Sequence, residues 1–447
     1  MPLNVSLTES EQHPLLTDEG RHLLKSLYEH EHGPTFNHRC GDRLNEAGLA
    51  EVQAFSVAVN RDTPRWKPGT PPEWVYEDAV HCARQVPIYR STALRADFID
   101  IPTVSREQLG REPWQFVPDD APLDDLILYD STGTTGHPTD ILCHPIASSK
   151  YLPIMQKALR MRGIKIDGGP GRVSIMLIAN QRRTWTFASI SAYLNQAAFA
   201  KVNLYPTEWR DPGDRARFLD ETAPEIFTGD PIAFDALAAI PFTHRPKALI
   251  STSMTLTDEH RLRLEERFGC PVLDMYSMSE SGPVAVATPH GHQILASDLY
   301  VEVLRPDGTH CAPEEVGEIT LTGGRNPFLK LLRYRTGDRA RIASVDGVPT
   351  LLDFEGRPPV VYTDADGGPI NNVDIFWMLR PFRIARYRLH QAADRRVRIE
   401  IAGTFATPAE IRAALQPLFG AGIAIDVVPW QDTPDRVVQY TREESVS

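Results

Sequence analysis

The chain has 447 residues, with 47 Lys plus Arg against 59 Asp plus Glu, hence a formal net charge of −12. That acidic balance argues against a nucleic-acid coat and against a polybasic membrane anchor. A hydrophobic fraction of 42% with 24% charged residues is globular, not disordered.

Eight of the basic residues are lysines and 39 are arginines, and none of the 117 residues after Lys330 is a lysine. Met1 to Gly20 has no positive stretch followed by an apolar run, so no secretory signal is read. The most apolar stretch, Val173 to Ala179, falls far short of the roughly 20 residues a bilayer requires. The five cysteines are dispersed with no CxxC pair, which reads as free thiols in a reducing cytoplasm. The close pairs His290/His292 and His30/His32 lack the i, i+4 spacing of a helical zinc site.

In chain order, residues 1 to 70 are polar, contain prolines and have weak periodicity. They read as a helical or irregular N-terminal extension of unclear role. Glu73 to Gln85 reads as a helix stopped by Pro87. Val173 to Ala179, bounded by glycines and Asn180, reads as a buried strand. The Ala-rich segment Ser189 to Ala200 suits a buried helix. Lys247 to Thr252 reads as a strand. Thr257 then caps a helix with Asp258 and Glu259 in its first turn and Gly269 at its C′ position. Pro271 to Tyr276 is the next strand. This strand–helix–strand alternation points to a parallel α/β sheet.

Beyond residue 298 the pattern changes. Leu299 to Leu304, Gly317 to Thr322 and Asp338 to Ile342 read as strands of an antiparallel or barrel-like subdomain. The chain ends in a small α+β unit of roughly 85 residues. Its strands are read at Ile384 to Leu389, Val397 to Ile401 and Ile423 to Val428. Thr407-Pro-Ala-Glu410 is a capping box that opens a helix to about Gln416, with Pro417 and Gly420 closing it.

Three segments carry chemistry. Ser131-Thr-Gly-Thr-Thr-Gly-His-Pro-Thr139 has glycines that let backbone N–H groups converge on an anion, and hydroxyls that add donors. It lacks Walker spacing, and taken alone it reads rather as a polar surface turn. Asp274-Met-Tyr-Ser-Met-Ser-Glu-Ser-Gly282 puts Tyr276, Ser279 and Glu280 at the C-terminal edge of the sheet, where open α/β folds bind ligands. Tyr334-Arg-Thr-Gly-Asp338, read between two strands, offers a carboxylate suited to a ribose diol.

Together, in this order, the three resemble the motifs of the adenylate-forming superfamily, which includes acyl-CoA synthetases and adenylation domains. Ser131 to Thr139 is similar to TSGTTGxPT, Tyr276 to Glu280 to YGxTE, and Tyr334 to Asp338 is identical to YRTGD. Ala83 to Arg90, Ile101 to Leu109, Asp274 to Glu280 and Leu332 to Asp338 resemble phenylacetate-CoA ligases in particular. The resemblance implies an α/β fold: a large N-terminal adenylate-forming core (71–356) with mixed sheets and a barrel-like subdomain, and a small, mobile α+β lid (357–447).

It also implies roles. Ser131, Thr132, Gly133, Thr134, Thr135 and Gly136 would wrap the ATP phosphates. Tyr276 would lie against adenine, Ser279 would touch the α-phosphate and Glu280 would hold Mg²⁺. Asp338 would bind the ribose, with Arg357 at the hinge. The implied activity is ATP- and Mg²⁺-dependent conversion of a carboxylic acid, aromatic by analogy, to an acyl-AMP. Transfer would follow to CoA, to the phosphopantetheine of a carrier protein, or to another small acceptor. Asn180 to Ser191 is a candidate lining for the acid pocket, with plain core as the competing reading of Trp185 and Phe187. A homodimer is compatible with this reading.

Besides Ser277 for Gly and Ser279 for Thr in YGxTE, four positions depart from the family pattern. His137 replaces a lysine, Met254 a glutamate and Pro359 the pivoting aspartate. The fourth is the missing C-terminal lysine, near whose place stands Arg436. Arg436 is therefore the candidate cation for adenylation, with simple surface charge as its alternative. A guanidinium is not a drop-in for an ammonium. A divergent enzyme doing a partial or ATP-independent acyl transfer, or binding acyl-adenylate without turnover, is the alternative function.

Overall fold

The structure is a computed structural model and describes residues 7–90, 98–131, 139–355, 360–382, 384, 386–431 and 439–443. Its main feature is a 13-stranded mixed sheet. Five neighbouring strands run parallel: Ala197–Asn203, Val173–Ala179, Ile226–Gly229, Ala248–Ser251 and Val272–Met278. Near-continuous apolar composition suits these strands because both faces are covered. On one face, Leu23, Leu24 and Leu27 from the helix Asp18–Tyr28 join Phe218, Phe234 and Phe268 in a single apolar cluster. On the other, Val59, Ile154, Met155 and Leu159 pack on Ile175, Ile250 and Leu273.

The helix read after Thr257 spans Asp258–Phe268, with the Thr257 hydroxyl accepting from the His260 N–H at 3.2 Å and Gly269 at φ 66°. The Glu73–Gln85 helix also stands as read. The segment Ser189 to Ala200 is not helical. It is a hairpin in which Phe187–Ser191 pairs antiparallel with Ala197–Asn203. Asn195 and Gln196 take φ of 54° and 67°, which breaks a helix. The Gln196 amide fastens the loop to the N-terminal segment, accepting from the Thr17 N–H at 3.0 Å and donating to the Leu15 carbonyl at 3.0 Å. Alanine's helical preference thus yields to burial of Ala188, Ala198 and Ala200 in the sheet.

After Met278 the sheet continues antiparallel through Gly282–Thr288, Gly291–Ile294, Val348–Glu355, Leu331–Val345, Gly317–Gly323 and Leu299–Leu304. The Tyr334-to-Asp338 motif does not lie between strands. It sits inside the 15-residue strand Leu331–Val345, with register shifts against Gly317–Gly323. This half of the sheet encloses its own apolar cluster, to which Tyr276, Val301, Ile319, Ala340 and Leu351 belong.

The C-terminal residues build a four-stranded sheet, ordered Ile425–Pro429, Val397–Ala402, Arg386–Gln391, Tyr440–Arg442. The Thr407/Glu410 capping box forms as read. Its helix, Pro408–Phe419, runs through Pro417 rather than ending before it. Leu418 and Phe419 are buried, and that contact holds the last turn despite the lost N–H.

Candidate active site

The parallel strands all end at one edge, and Tyr276, Glu280, Tyr334 and Asp338 of the motifs gather there. Tyr276 lies near the end of Val272–Met278. Ser279, Glu280 and Ser281 form the turn that reverses the chain into Gly282–Thr288, with Met278 paired to Gly282. Gly282 has φ 71°, the left-handed residue that closes a three-residue hairpin loop. On the far side of the turn, the Arg325 guanidinium donates to the carbonyls of Ser281 (2.6 Å) and Pro283 (2.9 Å) and pairs with Asp298 (2.9 Å).

Curling of the antiparallel half returns Asp338 to this edge, 62 residues along the chain from Tyr276. The Tyr276 hydroxyl donates to Asp338 Oδ2 at 3.0 Å. The Tyr276 ring packs on Phe354 with centroids 4.6 Å apart, and both Tyr276 and Asp338 are buried. The Asp338 N–H donates to Thr336 Oγ1 at 3.1 Å, and Thr336 in turn donates to the Ile319 carbonyl at 2.9 Å, which fixes the backbone beneath the carboxylate.

Glu280 is held differently. Its Oε1 accepts from the Tyr334 hydroxyl at 2.8 Å and from the guanidinium of Arg106. The side chains of Arg106 and Glu280 are 7% and 1% exposed, so this is a buried ion pair. Burial disfavours the charged form of Arg106, but Glu280, Tyr334 and Asp338 outweigh it and raise its pKa. Burial, reinforced by the Glu280 carboxylate, pushes the Tyr334 hydroxyl well above its ordinary value.

Arg106, the ion-pair partner of Glu280, is a residue that the motifs left without a role. It opens the helix Arg106–Arg111, whose Ser105/Gln108 capping box is visible in the sequence. The two-residue strand Val104–Ser105 pairs parallel with Tyr334–Arg335 and so delivers Arg106 beside Tyr334. A cation at the first position of a capped helix was the available signal.

Of the other predicted residues, Ser279 is exposed on the turn beside Glu280. Ser131 ends the strand Ile127–Ser131, which pairs with Thr139–Cys143. The loop between them (Thr132, Gly133, Thr134, Thr135, Gly136), with His137, Arg357, Pro359 and Arg436, lies outside the described residues. Ser251 closes its strand buried at this same edge, and Met254 follows it. Trp185 is not core: it is 50% exposed and packs on His38, ring centroids 4.7 Å apart.

A second group of ionisable residues is formed by Lys201 on the strand Ala197–Asn203, Asp230 just past Ile226–Gly229, and Cys40 of the N-terminal segment. Burial pushes Lys201 down to about 8 and Asp230 up to about 6, and each acts electrostatically on the other. Cys40, which also interacts with Lys201, is pushed up to about 12 by burial.

Mg²⁺ requires near-octahedral oxygen ligation. Glu280 Oε1 already accepts from a guanidinium and a phenol, and its charge is neutralised by Arg106. As arranged, these residues do not fit a metal at Glu280.

A buried tyrosine–aspartate pair and a buried glutamate thus meet at the carboxyl edge of a mixed α/β sheet, carried by adenylate-forming sequence motifs. The chain is similar over 92 residues to phenylacetate-coenzyme A ligases, at 34% identity to that of Pseudomonas putida and 36% to that of Escherichia coli K12. Each match covers 19% of this chain and 21% of the relative, about a fifth of the relatives' length. These matches support the adenylate-forming superfamily as the group this chain resembles. No protein-family profile matches the chain.

Among solved structures it is similar to 2-hydroxyisobutyryl-CoA ligase in complex with 2-HIB-AMP and CoA, at TM-score 0.48 and 18% identity over 89% of this chain and 90% of that one. It is also similar to an anthranilate CoA ligase in complex with anthranoyl-AMP, at TM-score 0.37 and 15% identity over 72% and 67%. Among the described residues, no helix is long and apolar enough to cross a membrane.

Proposed function

We propose that this protein activates a carboxylic acid with ATP as an acyl-AMP and passes the acyl group to a thiol acceptor, CoA or a phosphopantetheine arm. The observation that carries this reading is the meeting of Tyr276 and Asp338 at 3.0 Å on the edge that also bears Glu280. A ribose diol needs a fixed acceptor, and Asp338 is held by its tyrosine and its anchored backbone. In the first step a carboxylate oxygen bonds to the α-phosphorus while the bond to pyrophosphate breaks. In the second the thiolate bonds to the acyl carbon, AMP leaves, and the thiol proton passes to solvent. Charge that builds on the α-phosphate calls for preorganised donors and cations. Mg²⁺ enters this reading as the counter-ion that ATP carries.

An aromatic acid is proposed from the relatives' name, with Asn180 to Ser191 lining its pocket. The half-exposed Trp185 supports that placement. The carrier-protein acceptor, the 357–447 lid and a cytoplasmic location are parts of the same proposal. One observation favours a second reading, a partial or ATP-independent acyl transfer: no lysine follows Lys330.

ATP–pyrophosphate exchange against a panel of aryl and short acids, with hydroxylamine trapping, separates the two. The first reading expects exchange with at least one acid and a loss of about 10²-fold in Asp338→Ala, the scale of losing one preorganised polar contact. Absence of exchange with every acid, together with tight binding of an acyl-AMP, would overturn the first.

A further inference from the structure

We infer that Arg106, and not a metal ion, is the resident counter-ion of Glu280, and that it is a positioning residue for the site. The inference rests on the acyl-adenylation reading for its catalytic meaning but not for its geometry.

Three independent features place the guanidinium there. The parallel register Val104↔Tyr334 and Ser105↔Arg335 brings the start of the Arg106–Arg111 helix onto the strand that carries Asp338. The reciprocal capping box locks that start, with Ser105 N–H donating to Gln108 Oε1 at 2.8 Å. Tyr334, one residue of the same register pair, donates to the same Glu280 oxygen. Among the described residues, Arg106 is the only ion-pair partner of Glu280.

A carboxylate that is 1% exposed needs a compensating charge, and here the protein supplies it. An Arg–Glu pair in a low-dielectric site also sets the rotamers of Glu280 and Tyr334, and through Tyr334 the strand that bears Asp338. Removing Arg106 leaves Glu280 a bare, buried carboxylate, which is then the best available ligand for a divalent cation. Metal dependence of nucleotide binding is therefore the property that distinguishes this arrangement from a metal-binding glutamate.

The test measures calorimetric affinity for α,β-methylene-ATP with Mg²⁺ and with EDTA. It compares wild type, Glu280→Gln, Arg106→Gln and the double variant. The ratio of the two affinities should agree within about threefold between wild type and Glu280→Gln. It should rise at least tenfold in Arg106→Gln and return in the double variant. A tenfold fall of the ratio in Glu280→Gln, with Arg106 intact, would overturn the inference, as would an unchanged ratio in Arg106→Gln.

A urea double-mutant cycle on the same four proteins reads the pair without any ligand. The double variant should recover most of the midpoint lost by Arg106→Gln, and failure to recover would also overturn the inference. Were no variant to bind nucleotide, the acyl-adenylation reading would fall, while the cycle would still decide the pair.

Discussion

Asp230 caps the helix Pro231–Ala238, accepting from the Ala233 N–H at 2.8 Å, yet burial pushes its carboxyl up to about 6. Its folded pKa lies above the ordinary value of 3.8, so the native state binds its proton more tightly than the unfolded chain does. The stability tied to that proton is fully present below about pH 4 and is lost as pH rises through 6. Asparagine keeps the capping acceptor without the charge. Asp230→Asn should therefore raise the unfolding free energy measured in urea at pH 8, by roughly 1–2 kcal/mol, and leave it unchanged at pH 4. Equal midpoints at pH 8 would show that the charge is already compensated, with Lys201 the nearest candidate.

The same scale explains what the sequence could reveal of the site. Tyr276, Glu280 and Asp338 lie within short motifs whose residue types announce their chemistry, and the fold brings them together. Arg106 is marked only as a cation at the start of a capped helix, because its partner is 174 residues away and only the strand register joins them.

Elements whose ends are chemically marked were legible. Thr257 with Gly269, and Thr407 with Glu410, bound the helices they were expected to bound. The hairpin of residues 187–203 was not, because its alanines favour helix locally and its strands are chosen by a parallel neighbour and an N-terminal segment far away in sequence.

Distant contacts also tie the C-terminal unit to the large sheet. Just past the strand Val173–Ala179, Arg182 pairs with Asp364 at 3.0 Å and its N–H donates to Asp374 Oδ1 at 2.7 Å. Asn371 Nδ2 donates to the Asn180 carbonyl at 3.3 Å. The guanidinium is partly exposed, so its pair with Asp364 is worth little in global stability, about 0–1 kcal/mol. Its effect belongs to local opening. Arg182→Ala should speed limited proteolysis around residue 360 several-fold while shifting Tm by only a degree or two. Cleavage at the wild-type rate would mean that the bonds to Asp374 and Asn180 sustain the contact without the ion pair.

At the scale of the whole molecule, the apolar clusters divide cleanly. One contains only residues from Val360 onward: Tyr362, Ile375, Tyr387, Leu415 and Phe419 among them. The other four contain no residue beyond Leu351 in their buried sets. Two sets of apolar contacts that share no member can melt separately, and among the described residues polar ties that include those of Arg182 and Asn371 couple them. Calorimetry should then give a calorimetric enthalpy larger than the van't Hoff enthalpy, with the excess resolving into two transitions. Arg182→Ala should move those transitions further apart, because it removes coupling without touching either core. A single transition with equal enthalpies, unchanged in Arg182→Ala, would show that the chain melts as one cooperative unit despite its divided cores.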